Sequence, residues 1–214
     1  EDGKPGRLTE SLFQIDPHED NRITYFTKIA GDFTLEKRAA GAENVVMVGS
    51  GTGLAPFAAM IKQLHFEASN GSPPGGRYTL FHANRGLPEL AYHQQLMEIE
   101  AERRFDFVYV PSVSRPSKDD INNKQLGKGR ANNLLRSVFD MPLKEEDDLR
   151  EAKEKGEGVD HAAALLERTV KPNLPGHVTK QSLLERMDAA KSVILTCGNP
   201  RSMEDIKHIA ASRG

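Results

Sequence analysis

The stretch Gly49-Ser50-Gly51-Thr52-Gly53-Leu54-Ala55-Pro56 joins an apolar run, Val45 to Val48, to a segment in which Phe57, Met60, Ile61 and Leu64 recur at helical spacing. Glycines there let the backbone turn sharply and approach a ligand with no Cβ in the way. The helix behind them offers free N–H groups and a positive dipole end, which suits a pyrophosphate, and Thr52 adds a hydroxyl donor. The stretch departs from the usual dinucleotide fingerprint, because Pro56 stands where a third Gly would be sought, and it lacks the Gly-Lys-Ser/Thr of phosphate-cradling NTPase loops. A second turn, Cys197-Gly198-Asn199-Pro200, lies between the last apolar strand and the last helix. By itself Cys197 reads as a small buried hydrophobe rather than as a functional thiol.

The elements that must position these turns alternate. Continuous apolar runs at Val45–Val48, Tyr78–His82, Phe107–Val113 and Ser192–Thr196 predict parallel strands covered on both faces. Between and after them, Pro56–Phe66, Glu89–Arg104 and Ser202–Ala211 read as helices. The expectation is an α/β fold with a parallel sheet ordered 3-2-1-4 and helices on both faces. Ligands then bind at the carboxyl ends of the strands, so the Gly51 and Cys197 turns should share one crevice. Residues 116–176 break the rhythm. With helix candidates at Ala131–Phe139, Lys144–Lys155 and Ala162–Val170, they read as a charged helical insertion with a mostly solvated surface. Ile23–Ile29 reads as a further strand, ahead of the break at Gly31-Asp32.

Composition narrows the chemistry. Of 214 residues, 37% are hydrophobic, enough for one ordinary core, and the formal net charge of −2 argues against a general nucleic-acid surface. One cysteine excludes an internal disulfide framework or a Cys-rich metal centre, and the seven histidines show no metal-ligand spacing. No apolar run is long enough for a membrane span, and Glu1–Arg7 has no signal-peptide core, so a cytoplasmic location is expected.

Taken together, the G-T-G-L-A-P turn and the C-G-N-P turn resemble those of the ferredoxin–NADP reductase family of flavoenzymes. The resemblance is nearest to the bacterial ferredoxin or flavodoxin reductases and the reductase components of oxygenases. Gly31-Asp32-Phe33-Thr34-Leu35 is similar to the segment that closes the family's antiparallel flavin β-barrel. Gly6-Arg7-Leu8-Thr9 is similar to the helix start that holds the FAD pyrophosphate. The resemblance implies that Gly51, Thr52, Gly53, Leu54, Ala55 and Pro56 form the cofactor turn. It places Cys197, followed by Gly198, Asn199 and Pro200, beside the nicotinamide. Ser114-Arg115 resembles the pair that grips the 2′-phosphate in NADP-using members, implying NADP(H) over NAD(H), and Arg85 falls where the family often contacts the adenosine part. Arg85 is equally well read as an inert loop residue. Two segments compete for the family's further basic position: Gly127-Lys128-Gly129-Arg130 carries the charge, while Gly176-His177-Val178-Thr179 has the usual distance to Cys197. The second is preferred on position, with Lys128 and Arg130 kept as candidate phosphate ligands.

The resemblance implies two parts: residues 1–40 as the last portion of an FAD-binding barrel, with Thr9 at the flavin pyrophosphate, and 41–214 as the NAD(P)-binding domain. Electrons would pass from NADPH through FAD to ferredoxin, flavodoxin or an oxygenase component. The first barrel portion and its FAD motif have no counterpart here, so FAD is expected in an intact parent and not on this chain alone. A non-catalytic regulatory or assembly module that keeps the fold is the alternative.

Overall fold

The four apolar runs form the predicted parallel sheet, and a two-residue strand extends it. In chain order the strands are β1 (Asn44–Ser50), β2 (Arg77–Asn84), β3 (Phe107–Val113), β4 (Gly127–Lys128) and β5 (Ser192–Cys197), in the spatial order β4-β3-β2-β1-β5. The four expected strands, β3-β2-β1-β5, thus have the expected 3-2-1-4 order, with every pair in the sheet parallel. This computed structural model describes residues 7–16, 18, 19, 22, 27 and 31–213. It divides the chain into two units, Glu1–Asp32 and Phe33–Gly214.

In the first unit the regular element among the described residues is helix α1 (Arg7–Phe13). Gly6 and most of the expected strand Ile23–Ile29 lie outside the described residues, and Thr9 falls within α1. No piece of an antiparallel barrel is seen among the described residues. The second unit opens with a short helix α2 (Leu35–Arg38), capped by the Thr34 hydroxyl accepting from the Lys37 N–H. Leu35 packs on the core, and the Phe33 ring lies 5.8 Å from that of Phe57.

Alternation along each strand divides the core into two layers. Val45, Met47, Tyr78, Leu80, Phe107, Tyr109 and Leu195 face α3 (Leu54–Ser69) and α4 (His93–Glu102). Val46, Val48, Phe81, Ala83 and Val110 face α6 (Ala131–Val138), α9 (Lys180–Leu184) and α10 (Pro200–Ala211). Helix α4 starts later than predicted. A 3₁₀ turn at Leu87–Glu89 and a left-handed Tyr92, φ 57°, precede it, so the chain changes direction before the helix begins.

The segment read as an insertion is corrected in part. After α5 (Lys118–Asn122) and β4, helix α6 is the crossover that covers one sheet face, with Ala131, Leu134, Leu135 and Val138 on it at helical spacing. Its short length and its polar residues hid this, because the helix is buried on its other side as well. There Arg136, 1% exposed, makes paired bonds to the Asp205 carboxylate (Nε to Oδ2 2.9 Å, Nη2 to Oδ1 2.6 Å) and a third to Asp147 (2.6 Å). Asn132 also donates to Asp205, at 2.8 Å. Only α7 (Lys144–Lys155) and α8 (Val159–Glu167) form an excursion, and Asp147 pins its first turn to α6.

A buried ion pair is destabilising when halved and nearly neutral when replaced whole by apolar groups of similar volume. Asp205→Ala should therefore lower unfolding stability by about 3–5 kcal/mol, while replacing the network whole, with Asn132→Leu, Arg136→Met, Asp147→Leu and Asp205→Leu together, costs far less. Urea unfolding of the three proteins checks this, and a mild effect of Asp205→Ala would remove Arg136 from the core's essential contacts.

Candidate functional site

Strands β1 and β5 are neighbours, with Gly49 in register with Cys197, so the two glycine turns meet at the carboxyl edge of the sheet. This is where the strand order reverses, the point at which parallel α/β sheets generally offer a crevice outside the strand ends. After β1 the chain enters a 3₁₀ turn, Gly51–Gly53, that runs directly into α3. The helix starts at Leu54, and Pro56 sits in its first turn, where the missing N–H breaks no bond.

The glycines of the turn serve different ends. Gly51 has φ 56°, and a Cβ built there would meet nothing within 4 Å, so its open side faces free space. Gly53 is buried. A Cβ there would run into the Cys197 carbonyl and lie 2.6 Å from the Gly198 Cα. Gly198, at φ 133°, is matched to the other turn, since its Cβ would meet the Ser50 carbonyl oxygen at 2.7 Å. The expectation that Gly53 keeps space for a ligand is therefore corrected: it lets two backbone segments touch. Leu54 is in the core, Ala55 is exposed, and Thr52 is exposed on the turn.

Cys197 is a free, half-buried thiol at the end of β5. Asn199 is the N-cap of α10, its Oδ1 accepting from Arg201 N (3.0 Å) and Ser202 N (3.4 Å), and Pro200 occupies the first helical position. Both residues thus have full structural employment.

Three arginines lie just past three adjacent strand ends. Arg85 follows β2, Arg115 follows β3 after Ser114, and Arg130 follows β4. The loops are tied together: Arg115 N–H donates to Arg85 O at 2.8 Å, Ser114 N–H and hydroxyl donate to Asn84 O, and Gly129 N–H donates to Val113 O at 2.9 Å. Among the described residues the guanidiniums of Arg85 and Arg115 have no hydrogen-bond or ion-pair partner, and both residues are exposed. Arg130 is committed on one side, Nη1 donating to Glu145 Oε1 at 2.7 Å.

The competing basic segments separate cleanly. Lys128 is buried, its ammonium donating to the carbonyls of Asn123 and Leu126, and burial pushes its pKa down, so it does not reach the crevice. His177 is not at the carboxyl edge either. It donates to the Tyr109 carbonyl at 2.9 Å, beside Glu100, whose hydrogen bond raises its pKa. It lines a cleft of ≈ 800 Å³ along the part of β3 that the short β4 leaves uncovered, with Met97, Phe105, Phe107 and Gln125. The structure thus puts Arg130 at the carboxyl edge of the sheet and His177 away from it. Strand β4 escaped notice because Gly127-Lys128 has no strand pattern; it pairs because a Cβ at Gly127 would crowd Pro111 O at 2.9 Å.

One buried cluster was not foreseen. Tyr109 Oη lies 3.0 Å from His82 Nδ1 and 3.2 Å from His93 Nδ1, so its hydroxyl donates to one ring and accepts from the other. His82 is 1% exposed, its Nε2 has no partner, and burial pushes its pKa down to about 4. The signal available in the sequence was a histidine ending an otherwise apolar strand.

Crossovers onto one parallel sheet, a glycine turn feeding a helix and a crevice at the order reversal define a dinucleotide-binding α/β domain. Residues 47–148 match the family of the oxidoreductase NAD-binding domain. The match covers just under half of the chain and is in keeping with its resemblance to ferredoxin–NADP reductases. Comparison with curated proteins gave no match. Among solved structures, the flavohemoglobin of Malassezia yamatoensis with bound FAD and heme is similar at 16% identity and TM-score 0.49, over 86% of this chain and 32% of that one. The CS-b5R domains of human Ncb5or in the NAD+ form give 19% identity and TM-score 0.42, over 65% and 36%. The flavohem-like FAD/NAD-binding domain of nitric oxide dioxygenase from Vibrio cholerae O1 biovar El Tor gives 17% identity and TM-score 0.31, over 54% and 44%. The chain spans about a third of the length of the flavohemoglobin. Among the described residues no helix is long and apolar enough to cross a membrane, and no cluster of His, Cys, Asp and Glu could hold a metal.

Two outcomes follow from this geometry. Gly53→Ala must force the turns apart, at an overpacking cost of about 1–3 kcal/mol or more in urea unfolding; Gly51→Ala meets only the milder cost of a left-handed residue, about 1 kcal/mol. Equal stability of Gly53→Ala and the parent would contradict the close contact. For His82 the folded pKa lies below the ordinary 6.5, so its neutral burial stabilises the fold above pH 6.5 and this contribution is lost as pH falls towards 4. A shift of that size corresponds to about 3 kcal/mol. Urea midpoints of wild type should fall steeply between pH 6.5 and 4.5, and those of His82→Leu should fall much less; parallel curves would overturn the assignment.

Proposed function

We propose that the chain is the nicotinamide-binding part of an NADPH-dependent flavin oxidoreductase. The cofactor would lie along the carboxyl edge of the sheet with its pyrophosphate on the Gly51–Gly53 turn, whose first N–H groups have no intrahelical acceptors. Thr52 adds a hydroxyl at the rim. Cys197 then stands at the nicotinamide end, where a small, polarisable side chain lets two rings approach closely. At the other end Ser114, Arg115 and Arg85 take the adenosine 2′-phosphate. At about 4.8 Å per strand, β5 and β3 lie about 14 Å apart, the scale on which one extended dinucleotide can touch both ends.

When bound, the nicotinamide supplies a hydride to a flavin, and the hard chemistry is the cofactors' own. This chain's residues bind and orient. The α3 start and Thr52 hold phosphate, the arginines fix the adenosine end, and Cys197 sets how closely the nicotinamide packs on β5. In the intact protein FAD would pass the electrons singly to ferredoxin, flavodoxin or an oxygenase component. A remnant of the flavin barrel before residue 41 belongs to this reading.

The observation that carries the cofactor preference is the pair of uncommitted guanidiniums at neighbouring strand ends. Sites selective for NAD favour an acid that accepts from the ribose 2′-OH; the matching strand ends here are Asn84-Arg85 and Ser114-Arg115. A guanidinium grips a phosphate through two parallel bonds, and such charge-assisted bonds contribute about 1.5–3 kcal/mol, or about ten- to a hundredfold in affinity. In calorimetric titrations Arg115→Ala should lose most of that factor for NADP+ while binding NAD+ within about twofold of wild type. Equal wild-type affinities for the two nucleotides would make Ser114-Arg115 a plain surface feature.

A further inference from the structure

We propose that Glu145, at the start of the α7–α8 excursion, is a positioning residue that sets Arg130 for the phosphate-bearing end of the nucleotide. The inference rests on the cofactor reading above. Arg130 is the N-cap residue of α6 and lies two residues past β4, at the same sheet edge as Arg115 two residues past β3. Its side chain is 56% exposed, and its one bonded edge, Nη1, donates to Glu145 Oε1 at 2.7 Å. A guanidinium has five N–H donors in a rigid fork, so a carboxylate on one edge leaves others open toward solvent and an incoming anion.

The anchor is firm where the arginine is not. The Glu145 side chain is 5% exposed, and its Oε2 accepts from Asn133 Nδ2 at 2.7 Å. Asn133 is wholly buried, and its Oδ1 accepts from the Lys144 N–H at 3.0 Å. Two residues on, Asp147 holds Arg136 in the core. The first turn of α7 is thus fastened at three points, Lys144, Glu145 and Asp147, and Arg130 hangs from Glu145. A long side chain tethered this way loses less rotamer freedom on gripping a ligand than a free one. The excursion, which covers none of the sheet, gains a role as the fixed wall behind a phosphate-binding arginine.

The test is calorimetric titration of the full chain with NADP+ and with NAD+ for wild type, Arg130→Ala, Glu145→Gln and the double variant; Gln keeps the size of Glu145, so the fold is not put at risk by a void. Arg130→Ala is expected to weaken NADP+ about tenfold and Glu145→Gln about threefold, NAD+ staying within about twofold. The double variant should match Arg130→Ala, because a residue acting only through Arg130 has nothing left to act on. A purely structural Glu145 would weaken both nucleotides alike, and that result overturns the proposal. So does an additive loss in the double variant, or tighter NADP+ binding by Glu145→Gln, which would mean that Glu145 withholds Arg130. If Arg115→Ala abolishes the NADP+ preference while Arg130→Ala leaves it intact, this inference alone fails; if wild type has no preference, the cofactor reading fails with it.

Discussion

Everything at the carboxyl edge depends on one backbone contact. The turn after β1 and the turn after β5 touch at Gly53 and Gly198, with no room for a Cβ on either side. That contact fixes the distance between the start of α3 and the end of β5, and so the width of the crevice at the point where the strand order reverses. It also divides labour within a motif that looks uniform in sequence. Gly53 joins the protein to itself, whereas Gly51 alone presents an open face. Packing thus builds the floor of the site, and the ligand-facing groups stand on it.

The far end of the edge is held by electrostatics as well as by the close backbone approach at Gly127. Helix α6 packs on the sheet beside α10 and is covered by the first turn of α7, so it buries polar residues that a surface helix would leave in water. Arg136, Asn132 and Asn133 find carboxylates on α10 and α7, and the cost of desolvating them is offset by paired, charge-assisted bonds. The same arrangement carries β4 against β3 and brings Arg130 to the edge beside Arg115. One structural network thereby sets where Arg130 stands.

The sequence was informative where a period or a turn had a single physical meaning. The apolar runs of β1, β2 and β3 read as strands covered on both faces and the half-buried β5 as a fourth, and their order followed. The glycine turns announced a crevice. What stayed hidden depended on partners distant in sequence. Gly127-Lys128 becomes a strand only because Pro111 and Asn173 flank it, and Ala131–Val138 becomes a core helix only because Asp205, 69 residues past Arg136, neutralises its arginine. Distance to Cys197 along the chain favoured Gly176-His177, while the segment bonded to the end of β3 is Gly129, whose N–H donates to Val113 O and whose carbonyl accepts from Ser112 Oγ, since strand pairing and not chain length decides which loops meet. His82 was visible as a polar end to an apolar strand, but its pairing with Tyr109 was not.

The central claim is that the crevice between the β1 and β5 turns, extended along the strand ends, holds one dinucleotide. Titrating NADP+ into the isotopically labelled protein and following backbone amide resonances tests it directly. The account predicts the largest saturable shifts at Gly51, Thr52, Ser114, Arg115, Cys197 and Gly198, along one continuous edge. Shifts confined to Met97, Phe105, Gln125 and His177, around the cleft beside β3, would contradict it.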